Sequence, residues 1–189
     1  MGESVRLAGN TGAAASALGD ASATSSPLRG RDRELAELDR ILEQALQYQT
    51  PHTVFLVGER GLGKTRLLDH WLACATAARP LRIFREAARQ SDPAYGPFGR
   101  ILEARFQLKH AANRVTAFRD EVQQVVQDRR VTEVLHFLGV FLHLAIGDNP
   151  FLRAFEDVPL QHEQVARTVL KYFLELDAQA SPLILVVED

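Results

Sequence analysis

The sequence predicts an α/β fold, a layered domain around a parallel sheet. Two stretches, "TVFLV" at 53–57 and "LILVV" at 183–187, are unbroken apolar runs, the pattern of strands buried on both faces of a parallel sheet. Half-exposed antiparallel strands would alternate, and these do not. Around them, apolar residues recur at helical spacing. The first run passes directly into a glycine-spaced loop and then an amphipathic helix, so strand, loop and helix follow in that order.

The elements can be justified in turn. Residues 1–27 are rich in Gly, Ala, Ser and Thr, lack periodicity, and are expected to form a disordered leader before a domain at 28–189. From Arg31 to Gln49, Leu35, Leu38, Leu42, Ala45 and Leu46 fall on one helical face, and Pro51 closes the segment. In "KTRLLDHWLACATAA", Leu67, Leu68, Trp71, Leu72 and Ala75 share a face until Arg79-Pro80 breaks the helix. "LRIF" reads as a second strand. Residues 98–178 are mostly helical, with Val115, Phe118, Val122, Val125 and later Val165, Val169, Phe173, Leu176 in register. Ser181-Pro182 then punctuates, and the run Leu183–Val187 is the last strand. No internal repeat interrupts this order.

Composition narrows the function classes. Hydrophobic residues make up 46% and charged residues 24% of the 189, as in ordinary globular proteins. With a net charge of −2, no basic footprint for nucleic acid is indicated in this segment. The single cysteine, Cys74, allows no internal disulfide and fits a reducing, cytoplasmic setting. Its surroundings, "HWLACATAA", read as a packed helix rather than a reactive thiol. The most apolar helical run, Val134–Ile146, has 13 residues and two histidines. A membrane span needs about 20 mostly apolar residues, so this run reads as a buried helix of a soluble domain.

The most specific signal is "GERGLGKT", Gly58 to Thr65, which fits G-x-x-x-x-G-K-[ST]. Gly58 and Gly63 permit backbone angles and a close approach that a side chain would obstruct. Through Glu59, Arg60, Gly61 and Leu62 the loop can turn successive N–H groups toward a phosphate, and the next helix adds its positive end. Lys64 supplies a mobile charge for terminal phosphates. Thr65 offers a hydroxyl to Mg²⁺, which keeps several waters and takes few protein ligands. The side chains of Arg60 and Arg66 read as solvated or structural. By chance such a pattern arises about once in a hundred or more chains of this size. The loop is read as a nucleotide-phosphate site.

"LILVVED" supplies the second half of the constellation. An apolar strand that delivers a carboxylate at its C-terminal edge places it where it can hold Mg²⁺ or its water shell. Glu188 and Asp189 are the candidate catalytic acids, with Glu188 joining Thr65 at the metal.

With these residues in hand, residues 28–189 resemble the AAA-type ATPase module of the STAND signalling ATPases found in large bacterial regulators. "LRGRDRELAEL" looks like that family's opening motif, in which Gly30-Arg31 and Glu34 start a helix bordering the adenine pocket. "PAYGPFGRILE" resembles the segment after its second strand, and "PLILVVED" its magnesium (Walker B) strand. The resemblance implies a P-loop NTPase three-layer sandwich that ends at the Walker B strand, with a helical insertion between the second strand and the last. Two departures matter. Glu188 stands where the family usually has Asp, so which acid takes which role is open. The family also inserts a sensor-bearing strand between the phosphate-loop strand and the magnesium strand, and that strand would follow Asp189. The chain is therefore expected to be the amino-terminal piece of a longer protein. Either the strands at 53–57 and 183–187 leave a gap of unpaired backbone or the remaining strands pair differently.

Other candidate sites are weaker. Glu133, His136 and His143 lack the second set a di-metal site requires, and read as buried or interface residues. His162 and Glu163 are expected to begin a helix, and "LELD" near its end to be a solvated face. Three functions compete. The first is an ATP-driven switch that sets the orientation of attached domains. The second is a DNA-associated origin-recognition-type AAA ATPase. The third is a small-molecule P-loop kinase, for which no arginine-rich lid motif appears. The resemblance favours the first, with ATP and Mg²⁺ as cofactors. Its partners would be ATP or ADP, further carboxyl-terminal domains, and another copy of the chain in self-association, with no membrane. Without the sensor group and a stabilising arginine, this stretch is expected to bind Mg·ATP weakly and hydrolyse it near background.

Overall fold

In a computed structural model of the protein, the described residues are 2–6, 28–93, 95–146 and 159–189. The element order is β1 (Gly2–Arg6), α1 (Asp32–Tyr48), β2 (Thr53–Val57), α2 (Lys64–Ala78), β3 (Arg82–Ala87), α3 (Gly96–Arg105), α4 (Arg114–Val125), α5 (Val131–Phe141), α6 (Pro159–Ala180) and β4 (Leu183–Glu188). Two compact units divide the chain, Met1–Pro80 and Leu81–Asp189.

The first unit carries the loop. In α1, Asp32 and Glu34 occupy the first turn, where acids suit the positive end of the helix dipole. Gln49 then ends the helix in the left-handed region at φ 50°. The inner faces of α1 and α2 bury Leu38, Ile41, Leu67, Trp71, Leu72 and Ala75; the face of α2 is the one read from sequence, while in α1 Ile41 joins Leu38 and the other expected residues are half-buried. Trp71 donates its indole N–H to Asp39 at 2.8 Å, so the buried ring keeps a polar partner. Cys74 is exposed rather than packed, because it lies off that face.

Two expectations for this unit need correction. The leader was read as unstructured throughout, yet Gly2–Arg6 forms β1 and pairs in parallel with β2, from Gly2 opposite Thr53 to Arg6 opposite Val57. A lone strand leaves its N–H and C=O groups unpaired, and β1 relieves one edge of β2. Met1 and residues 7–27 lie outside the described residues. The strands were also expected to be buried on both faces. In β2, however, Phe55 and Val57 are each 54% exposed, and in β4 Val187 is 47% exposed. Sheets of only two strands expose more of each face than a wide layered sheet does.

The second unit holds the large core. Here β3 and β4 pair in parallel, Arg82 opposite Leu183 through Ala87 opposite Glu188. As expected, the strands at 53–57 and 183–187 are not ladder neighbours: β2 takes β1, and β3 takes β4. Phe106, Phe118, Phe137 and Phe173 are fully buried among the helices. The rings of Phe118 and Phe173 stand 5.1 and 5.4 Å from that of Phe106, within the favourable range for aromatic pairs. The apolar run at 134–146 is helical only to Phe141. His143 then turns into the left-handed region at φ 52°.

In this unit "LELD" is a solvated face only at Glu175, and Asp177 departs from that expectation. Asp177 is 1% exposed and accepts from Arg82 Nη1 at 2.8 Å and from Arg105 Nε and Nη2 at 3.0 and 2.7 Å. A buried carboxylate is tolerated when it is paired and hydrogen-bonded, and two guanidinium groups supply both conditions. The helix bearing it begins at Pro159, before His162 and Glu163, whose side chains lie outside the described residues. His136 is half-buried with its ring against Phe137, while His143 is exposed rather than buried.

Candidate functional site

The loop leaves the C-terminal end of β2 at Gly58 and enters α2 at Lys64. Gly61 and Gly63 have φ of 88° and 78°, which L side chains rarely adopt. A Cβ at either would meet nothing within 4 Å, so the glycines answer to backbone conformation and not to crowding. Gly63 caps α2 without a side-chain hydrogen bond, and the first helical bond runs from Leu67 N–H to Gly63 O at 2.9 Å. Helix N-termini present N–H groups without acceptors in the helix, together with partial positive charge. Such a loop can cradle an anion.

Lys64, the first residue of α2, folds its ammonium back over the loop. It donates to Gly58 O at 2.8 Å and Glu59 O at 3.2 Å, so the positive charge stands at the loop's opening. Thr65 is exposed in the same first turn.

The opening motif reaches this loop from α1. Gly30 has φ 70° and turns the chain into the helix. Arg31 donates from Nη1 to Glu34 at 2.8 Å and from Nη2 to Leu62 O at 3.1 Å, bridging 31 residues of sequence. Partial burial raises the Glu34 carboxyl, but hydrogen bonds from Arg31 and the backbone and the charges of Arg31 and Arg33 hold it below its usual range. Gly30, Arg31 and Gly58–Thr65 are thus assembled within one unit.

Glu188 and Asp189 stand at the end of β4 in the other unit. Both oxygens of Glu188 accept from Arg85 on β3, at 2.7 Å from Nε and 2.8 Å from Nη2. This fork-to-fork pair fixes the carboxylate geometrically and offsets its charge. Sequence reasoning missed Arg85, which stands among other charged residues in RIFREA and carries no motif of its own. Asp189 is exposed.

The segment "PAYGPFGRILE" gains a structural role. Arg100 on α3 binds Glu86, both oxygens of Asp92, and Ala87 O, so the segment ties α3 to the end of β3. Tyr95 caps α3 at φ 64°, and its hydroxyl accepts from Arg167 on α6 at 3.0 Å. A cavity of about 510 Å³ opens beside it, lined by Tyr95, Arg100, Glu103, Phe141 and His143 among others.

Among the described residues no group of three His, Cys, Asp or Glu could hold a metal ion by itself. No helix among them is long and apolar enough to cross a membrane. Comparison with curated proteins and with solved structures gives no match. A family model described as an AAA ATPase domain matches residues 27–189, which takes in the first unit from residue 27, all of the second, and every residue of the loop and of the last strand. With its parallel strands, its glycine loop and that match, the protein has an α/β fold of the P-loop NTPase type, and the chain belongs to the AAA ATPase domain family.

Proposed function

We propose that the chain is the ATP-binding module of a STAND-type signalling or transcription-regulatory ATPase, a nucleotide-dependent switch for attached domains. The observation that carries this reading is the loop from Gly58 to Thr65, with two glycines at positive φ, a bare helix N-terminus and the Lys64 ammonium across its opening. Nucleotide binding is the property common to the family the chain belongs to.

The roles follow from the chemistry of each group. Backbone N–H groups from Gly58 to Thr65 take the phosphate oxygens, and Lys64 exchanges its contacts to Gly58 and Glu59 for the terminal phosphates. Gly30 and Arg31 adjoin this loop, Arg31 through its bond to Leu62 O. The Thr65 hydroxyl is a hard oxygen donor of the kind that suits Mg²⁺, and the Glu188 carboxylate is another of that kind. When bound, Mg²⁺ neutralises charge on the phosphates. Arg85 keeps Glu188 oriented, and Asp189 is the acid that would orient a water.

The experiment is a titration with a fluorescent ATP analogue in the presence of Mg²⁺. Lys64→Ala is expected to weaken binding by about 10- to 100-fold, the worth of a charged hydrogen bond. Its thermal unfolding should match that of the wild type. Equal affinity of the two proteins would remove the assignment.

A further inference from the structure

We propose that Arg31 is a positioning residue for the phosphate loop, acting on the peptide between Leu62 and Gly63 and not on the nucleotide base. This deepens the nucleotide reading and rests on it. Leu62 lies between Gly61 at φ 88° and Gly63 at φ 78°. The peptide between Leu62 and Gly63 therefore turns on Gly63, whose φ is freer than that of any residue with a side chain. Apart from its chain neighbours, no atom lies within 4 Å of where a Cβ would stand on either glycine, so that side of the loop is open. The turn bond from Leu62 N–H to Glu59 O is long at 3.4 Å.

Arg31 constrains the carbonyl side of this peptide. Its Nη2 donates to Leu62 O at 3.1 Å while Nη1 is held by Glu34 at 2.8 Å. The two side chains are only 17% and 15% exposed, so the pair is sheltered from competing water. The peptide is trans and planar, and its C=O and N–H point in opposite directions. Fixing the Leu62 oxygen on one side therefore fixes the Gly63 N–H on the other, and Gly63 N–H is one of the donors expected to face phosphate. The guanidinium suits this task because its rigid fork serves two acceptors at once, which a lysine ammonium on a flexible stem does less well.

The test separates base from phosphate. Binding of ATP, GTP and inorganic tripolyphosphate is measured calorimetrically with Mg²⁺ on the full chain, for wild type, Arg31→Ala, Arg31→Lys and Glu34→Gln. Arg31→Ala should weaken all three ligands by the same factor, on the order of ten-fold. Arg31→Lys should recover only part of the loss, and Glu34→Gln should show a smaller loss of the same base-independent kind. In ligand-free protein, amide exchange at Gly63 should quicken in Arg31→Ala more than at amides of α1. A loss confined to ATP would overturn the proposal and return Arg31 to the adenine side, as would unchanged affinities together with unchanged Gly63 exchange. A wild type that binds none of the three ligands would overturn the nucleotide reading itself, and the proposal with it.

Discussion

The loop-bearing unit and the helical unit are held together by different kinds of contact. In residues 1–80 the buried apolar side chains lie on α1 and α2, while Phe55 and Val57 of β2 are more than half exposed. The loop there is shaped by directional bonds from Arg31 and Lys64 to backbone oxygens. In residues 81–189 four phenylalanines are fully buried, and a buried charged group, Asp177, is clasped by two arginines. A loop that must offer its N–H groups to a ligand cannot bury them in apolar packing. It has to be set by bonds to its carbonyls, and bulk hydrophobic stability has to come from elsewhere in the chain.

The same substitution in each unit should expose this contrast. Phe173→Ala, in the core, is expected to cost about 3–5 kcal/mol, since it removes the transfer energy of the ring and leaves a cavity. Denaturant unfolding followed by circular dichroism measures it, and an unchanged midpoint would deny that the aromatic cluster carries the helical unit.

Asp177→Asn should follow, at about 3 kcal/mol. Removing one partner of a buried pair costs about 3–5 kcal/mol, and the lower end applies because Arg82 and Arg105 retain 27% and 16% exposure through which water can reach them. A variant as stable as wild type would make the cluster decorative.

Phe55→Ala should be far milder than Phe173→Ala, about 1 kcal/mol or less, because half of the ring is already in water. A loss equal to that of Phe173→Ala would show that β2 is not exposed in solution.

The smallest effect is a pH dependence. Hydrogen bonds from Arg100 and then from the Arg89 N–H hold the Asp92 carboxyl down to about 2. A depressed folded value means that the stabilisation is complete above the unfolded value of about 3.9 and is lost as pH falls through 2. A side-chain carboxyl titration by NMR should give a midpoint near 2, and Asp92→Asn should flatten acid unfolding between those values. A midpoint near the ordinary value would show that the contact with Arg100 is not kept in solution.

The sequence by itself determined whatever is local. The loop is contiguous, its glycines answer to their own φ, and Lys64 reaches carbonyls only six and five residues away, so spacing alone located it. The helical faces of α1 and α2 followed from periodicity for the same reason. Only the tertiary structure decided the contacts that join distant residues. Asp177 looked like part of a solvated face because its arginine partners lie 95 and 72 residues away. The leader gave no strand signal, and Gly2–Arg6 became β1 only because β2 offered an edge to pair with. Arg85 and Glu188, 103 residues apart, meet because β3 and β4 run in parallel register. Periodicity and motif spacing encode what a segment does with its own neighbours; charge pairing and strand pairing depend on which segments the packed chain brings side by side.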